Sequence, residues 1–249
     1  MKKCVKPLFF FLLVAAGMIS VCQALCVADD AVKDGFVPLF DGKTLDGWEG
    51  NTAIWSVEDG CIVGVTGEKG SPNFLTYNQF LVSKEKFQGN IVLEFDIKLT
   101  AKGNSGLQYH SSVNTDTTKP YSVSGYQGDF DGAATYSGIV YGENFRGILA
   151  QRGTISQIGN DHQPKETARF ANNEELKSKI KIEDWNTYQI TFKDYVIVHK
   201  INGELTSVLI DNDQEVRRNE GVLAIQAHVG PPMKVQIKNI RIKKLVGGK

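Results

Sequence analysis

Cysteine is scarce where it would matter. The chain has 249 residues and four cysteines, three of which (Cys4, Cys22 and Cys26) fall before residue 28. Beyond that point only Cys61 remains. No internal disulfide can form there, which excludes the cysteine framework that holds small secreted domains together. Cys61 opens the run CIVGV and reads as a buried strand thiol. An excess of charge is missing too: 28 Lys and Arg balance 28 Asp and Glu. That balance gives no electrostatic case for nucleic acid or an anionic membrane as partner, and a neutral ligand such as a saccharide fits it better. Signature spacings are also absent. There is no HExxH, paired CxxC, EF-hand loop, P-loop, Rossmann glycine pattern or serine elbow. The sequence therefore requires no cofactor. A divalent metal held by dispersed His, Asp and Glu stays open.

Long apolar runs are confined to the start. Lys2, Lys3 and Lys6 precede LFFFLLVAAGMI (Leu8 to Ile19), which is too short for a comfortable membrane span and has the layout of an export signal. Small residues follow, so residues 1–28 are expected to be a signal peptide cleaved after Ala28, with Ala24 as the second choice. An uncleaved anchor helix and a lipid-modified Cys22 or Cys26 are the alternatives. Export places the protein in the periplasm or outside the cell, with no stable membrane insertion after cleavage.

From about residue 33 to 245 the pattern is that of a single domain dominated by strands. Ile91, Leu93, Phe95, Ile97 and Leu99 alternate with Val92, Glu94, Asp96 and Lys98, predicting a long strand with one buried side. Asp59-Gly60 and Asn202-Gly203 sit between alternating runs and predict tight hairpins. The helical signal is limited to NNEELKSK. Many antiparallel strands with negligible helix predict an all-β sandwich of two packed sheets, with a closed barrel as the alternative.

Four strand-like stretches then place pairs of polar, chemically able residues two positions apart, hence on one face. They are Gln108 with His110, Gln127 with Asp129, Tyr141 with Glu143, and Gln226 with His228. Such repetition predicts a concave ligand face. Asn104, in the glycine-bounded GNSG segment, adds hydrogen-bonding groups. Arg146 is a candidate clamp for Glu143 or a substrate oxygen, with a purely structural ion pair the even alternative. Glu94 is a candidate acid, base or ligand if its side of the long strand forms the floor. His162 and His199 read as surface residues, and Asp131 as part of the turn after it.

The ordered set GFVPLFDGKTLDGW, WSVEDGCIVG, LEFDIKL, GNSGLQYH, SGYQGDF and AIQAHVGPPMKVQIKNIRIKKL resembles the 3-keto-disaccharide hydrolase family of secreted bacterial proteins. The resemblance covers nearly all of the chain past the leader. It implies a concanavalin A-like jelly roll and cleavage of glycosides oxidised to a ketone at C3, with a functional link to a sugar 3-oxidoreductase. It implies His110, His228, Asp129 and Glu94 as catalytic groups. Gln108, Gln127, Tyr141, Glu143, Arg146, Gln226 and Asn104 would bind substrate. A carbohydrate-binding module without chemistry is the alternative. It would stack sugars on aromatic platforms drawn from Trp48, Tyr121, Tyr126, Tyr136, Tyr141 and Trp185.

Overall fold

The computed structural model describes residues 34–245, so the expected signal peptide and its cleavage site lie outside the described residues. The chain divides after Val37, and the unit from Pro38 onward carries the fold. Its strands begin with the short β1 (Val37–Pro38), β2 (Trp48–Glu49), β3 (Trp55–Glu58) and β4 (Cys61–Val65). The long β5 (Gln79–Gln88), β6 (Ile91–Leu99), β7 (Asn104–Val113) and β8 (Val123–Asp131) follow. Next come β9 (Val140–Glu143), β10 (Gly147–Ala150), β11 (Thr154–Ile158) and β12 (Pro164–Arg169). The last are β13 (Asn186–Lys193), β14 (Val196–Ile201), β15 (Glu204–Asp211), β16 (Glu220–Ala227) and β17 (Lys234–Lys244). Among the described residues one short helix, α1 (Asn173–Lys177), occupies the expected stretch, and the Asn172 side chain caps it by accepting from the amides of Glu174 and Glu175.

Local chemistry explains the connections. Ile201 pairs with Glu204 across Asn202-Gly203, whose φ angles are 53° and 84°. Glu58 pairs with Cys61 across Asp59-Gly60, at 50° and 73°. Two successive positive φ angles give the mirror-image turn that matches strand twist, which is why Asn-Gly and Asp-Gly mark these hairpins.

The strands build two sheets. The larger follows the order β12-β11-β15-β14-β13-β6-β17-β4-β3, and the smaller, of seven strands, the order β10-β9-β8-β7-β16-β5-β2. Pairing is antiparallel except between β11 and β15. The core lies between the sheets. Leu93, Phe95 and Ile97 of β6 meet Leu107, Tyr109 and Tyr126 of β7 and β8, and Leu223 and Ile225 of β16, all in one buried cluster.

Glu94 is placed by the same alternation that buries its neighbours. It faces out from the larger sheet, ion-paired to Arg241 and accepting from Gln189 at 3.1 Å. It is therefore remote from the face that carries the polar pairs of the smaller sheet, a correction to its expected place in the site. His199 is corrected as well. It is fully buried between the sheets, with Nε2 2.9 Å from the Tyr109 hydroxyl and Nδ1 3.1 Å from both the Tyr188 hydroxyl and the Ile139 carbonyl. The carbonyl can only accept, so Nδ1 carries the proton and Nε2 accepts from Tyr109. Burial pushes the pKa of this imidazole down to about 3.

Candidate functional site

The outer face of the smaller sheet holds a cleft of about 260 Å³ lined by Asn78, Asn104, Gln127, Asp129, Tyr136, Ile139, Tyr141, Glu143, Ile148, Gln226 and His228. Seven of the sequence-predicted residues thus converge there: Asn104, Gln127, Asp129, Tyr141, Glu143, Gln226 and His228. Register explains the convergence. Gln127 lies opposite Tyr141, Gln108 opposite Gln127, and Gly106 opposite Asp129. Leu223, Ile225 and Ala227 turn to the core, leaving Gln226 on the outer side of β16. There Phe80 pairs opposite Gln226 and Val82 opposite Ala224. These two, with Val123, Val222 and Ala224, form a small apolar cluster on the same face.

The floor of the cleft is a directed chain of buried amides. Ser111 Oγ donates to Gln108 Oε1 at 2.7 Å, and Gln108 Nε2 donates to Gln127 Oε1 at 2.7 Å. Gln127 Nε2 donates to Gln226 Oε1 at 3.3 Å, and Gln226 Nε2 to Glu143 Oε2 at 3.4 Å. Gln108 is thus beneath the cleft rather than in its lining. Gly106 makes the crossing feasible: a Cβ there would stand 2.6 Å from the Gly128 carbonyl and 2.9 Å from Gln127 Cγ. Without a side chain at 106, Gln127 of β8 reaches over β7 to β16.

His110 departs from expectation. Tyr109 pairs with Tyr126 and Ser112 with Ser124, so two residues of β7 oppose Gly125 alone. This is a β-bulge, with His110 at φ 45°. The bulge inverts the alternation. Ser111 takes the place beside Gln108, and His110 turns inward to meet the Phe192 ring edge-on at 4.3 Å between centroids. It is fully buried with neither ring nitrogen hydrogen-bonded. Burial lowers its pKa to about 4. His110 therefore lies in the core and not in the cleft.

Arg146 is also engaged elsewhere. Its guanidinium pairs with Asp211 and with Asp213 (3.4 Å), and it stacks over Phe145 at 4.3 Å. His162 joins the same group through Asp213, 2.7 Å from its Nδ1. The His162 side chain is 44% exposed, so the sequence placed it at the surface correctly.

Within the cleft, Asp129, Glu143 and Tyr141 differ in environment. Asp129 is buried, one of its oxygens lacks any hydrogen-bond partner, and burial holds its pKa well above the usual carboxylate range, with Asp131 and Glu143 adding repulsion. Burial of this kind favours the neutral, protonated carboxyl. Glu143 is also pushed up by burial, but Asn78, His228 and Gln226 oppose the rise. Asn78 Nδ2 donates to Glu143 Oε1 at 2.9 Å. The Tyr141 hydroxyl is raised by burial, then by Glu143 and Asp129. His228 sits half-buried just past the end of β16. Asn104 Oδ1 is a second buried acceptor without a partner.

Asn78, Ile139 and Ile148 line the cleft without having been singled out in the sequence, whereas Tyr136 was among the candidate stacking platforms. Asn78 precedes β5 with no patterned partner. Tyr136 is presented by a turn that Asp131 builds by accepting from the amides of Thr135, Tyr136 and Ser137, at 3.0, 2.7 and 2.9 Å. Of the other aromatics, Trp48 and Tyr126 are buried, and Trp185 lies under Lys98 and Lys238 of the larger sheet. Among the described residues, no group of three or more His, Cys, Asp or Glu converges closely enough to hold a metal ion.

Two packed, mainly antiparallel sheets with a polar cleft on the outer face of one define a concanavalin A-like sandwich. Two solved structures share it. A Parabacteroides distasonis protein named provisionally as a glycosyl hydrolase is 20% identical, with a TM-score of 0.55, covering 87% of this chain and 97% of its own. A Bacillus subtilis protein of unknown function with a galectin-like fold is 10% identical, with a TM-score of 0.56 and coverage of 86% and 96%. The chain belongs to the 3-keto-alpha-glucoside-1,2-lyase-like domain family, whose profile matches residues 35–243. Over 91 residues it is 35% identical to a Bacteroides thetaiotaomicron 3-keto-disaccharide hydrolase, a match spanning 34% of this chain and 31% of that protein.

Proposed function

We propose that the protein cleaves glycosides whose sugar carries a ketone at C3. The observation that carries this reading is the meeting of Asp129, Glu143 and His228, from three separate strand segments, in one cleft with their environments set apart. Family membership supports it.

The chemistry needs a base, an acid and a polar pocket. The C3 ketone acidifies the C2 proton. His228, the most accessible of the three, takes that proton, and the neighbouring Glu143 carboxylate offsets the positive charge on the imidazole. The electron pair forms the C1–C2 double bond and breaks the bond from C1 to the glycosidic oxygen. Asp129, held neutral by burial, gives its proton to that departing oxygen. Water then adds across C1–C2, its hydroxyl to C1 and a proton to C2. The net result is hydrolysis. Tyr141 and Gln127 line the cleft as hydrogen-bonding groups for the sugar, and Asn104 Oδ1 is an unfilled acceptor for a sugar hydroxyl.

The ketone must be supplied by a reaction that oxidises the C3 hydroxyl of a glycoside, so an upstream sugar oxidoreductase belongs to the same reading. The leader-like sequence of residues 1–28 supports a reading in which this chemistry runs outside the cytoplasm. A second reading, binding without turnover, is favoured by Tyr136, 46% exposed at the cleft, which could stack a sugar ring.

The test is incubation with a 3-keto-glucoside and with its unoxidised parent. Release of the aglycone from the keto form alone is the expected result. Release from both overturns the elimination route in favour of ordinary hydrolysis. Binding without release from either establishes the second reading.

A further inference from the structure

Asn78 occupies a position that no functional assignment covers. It stands at the end of the connection into β5, half-buried, and touches two other segments through the two ends of one amide. Its Oδ1 accepts from the Val229 amide at 2.9 Å, and its Nδ2 donates to Glu143 Oε1 at 2.9 Å. The orientation is forced. The Val229 N–H can only donate, so the oxygen of Asn78 must face it and the NH₂ must face the carboxylate. Gln226 supplies the matching donor to the other oxygen, at 3.4 Å. Glu143 therefore receives amide donors on both oxygens, Asn78 at 2.9 Å and Asn144 at 3.4 Å on Oε1 and Gln226 on Oε2, and Asn78 alone ties that carboxylate to the backbone immediately after His228.

We propose that Asn78 is a positioning residue that holds Glu143 and the His228–Val229 segment as one unit. The role rests on the reading above, in which His228 takes the proton and Glu143 answers its charge. A carboxylate that sits beside an imidazole must be both ionised and fixed in direction, and amide donors favour the ionised form. The groups that face Glu143 are Asp129 of β8, Tyr141 of its own strand and His228 after β16. Asp129 and Tyr141 carry no charge that would assist ionisation, so the amide donors, of which Asn78 is the nearest, and His228 do that work.

Two substitutions separate positioning from simple support. Asn78→Asp keeps an oxygen for the Val229 amide but replaces the donor facing Glu143 with a second carboxyl. Asn78→Ala removes both contacts. The Glu143 carboxyl is followed by carbon-13 NMR across a pH series, its signal assigned by loss in Glu143→Gln. In both Asn78 variants the Glu143 midpoint is expected to rise, more in Asn78→Asp. The acid limb of kcat/KM on the keto-glucoside should move up with it, with kcat at neutral pH falling at least about tenfold and KM little changed. An unshifted Glu143 midpoint in both variants overturns the proposal, whether or not the wild type turns over. Wild-type activity in Asn78→Asp with a normal pH profile overturns it equally, by reducing Asn78 to an anchor for Val229. Failure of the wild type to release product, with the midpoint shifted as expected, overturns the functional reading and leaves the positioning geometry standing.

Discussion

Asp129 is the sharpest single residue for testing the chemistry. Its carboxyl is buried, with one oxygen unpartnered, and burial favours its neutral form. An amide of the same shape should fit at no cost to folding, because a neutral acid and an amide differ little in solvation. Asp129→Asn is therefore expected to leave the melting temperature unchanged or slightly raised, while kcat falls by roughly 10²–10⁴ through loss of the transferable proton. A large drop in melting temperature would instead mark Asp129 as a structural carboxylate. At this scale the sequence was partly legible. The pairs Gln127–Asp129, Tyr141–Glu143 and Gln226–His228 could be seen because each belongs to an unbroken strand segment, where period two holds. Asn78 could not, because it stands in a loop whose contacts, Glu143 and Val229, are far away in sequence.

The element that misled is β7. Period two assigned Gln108 and His110 to one face, and a bulge moved His110 to the other. The signal lay on the neighbouring strands and not in β7 itself. Gly125, opposite the bulge, would carry a Cβ 2.1 Å from Ser111 Oγ, and Gly221 of β16 one 2.3 Å from the Ser111 carbonyl. Neither glycine announces its partner without the sheet order. Gly106 is the third special glycine: it leaves the channel through which Gln127 reaches Gln226. Gly106→Ala should displace the Gln127 side chain, break the amide chain that ends on Glu143, and cost about 1–3 kcal/mol from overpacking. Denaturant unfolding checks the stability. Loss of turnover beyond that expected from the folded fraction checks the link to the site. Normal turnover in Gly106→Ala would mean that the chain of glutamines is only scaffolding.

At the scale of the whole molecule, the two-sheet sandwich was legible because alternation, paired-turn glycines and the near absence of helical pattern agree. What the sequence hid was the polar content of the interior. His110 rises from the smaller sheet against Phe192 of the larger, and His199 rises from the larger sheet against Tyr109 of the smaller. Both are held neutral, at about 4 and about 3. An unfolded histidine titrates near 6.5. Between that value and the depressed folded values the unfolded chain binds more protons than the folded one, so stability is full above about pH 6.5 and declines as pH falls. For His110 the decline is complete near pH 4 and amounts to about 3 kcal/mol. His199 adds to it in the same direction and continues lower. The exposed His162 works oppositely, since Asp213 raises its pKa and its contribution is lost as pH rises. The prediction is a melting temperature that falls steeply from pH 6.5 to 4. His110→Phe keeps the ring contact with Phe192 and has nothing to protonate, so its melting curve should flatten over that range while matching the wild type near neutrality. A variant with the wild-type slope would show that His110 gains a proton without unfolding the sandwich, and that acid lability originates in His199 or the buried carboxylates.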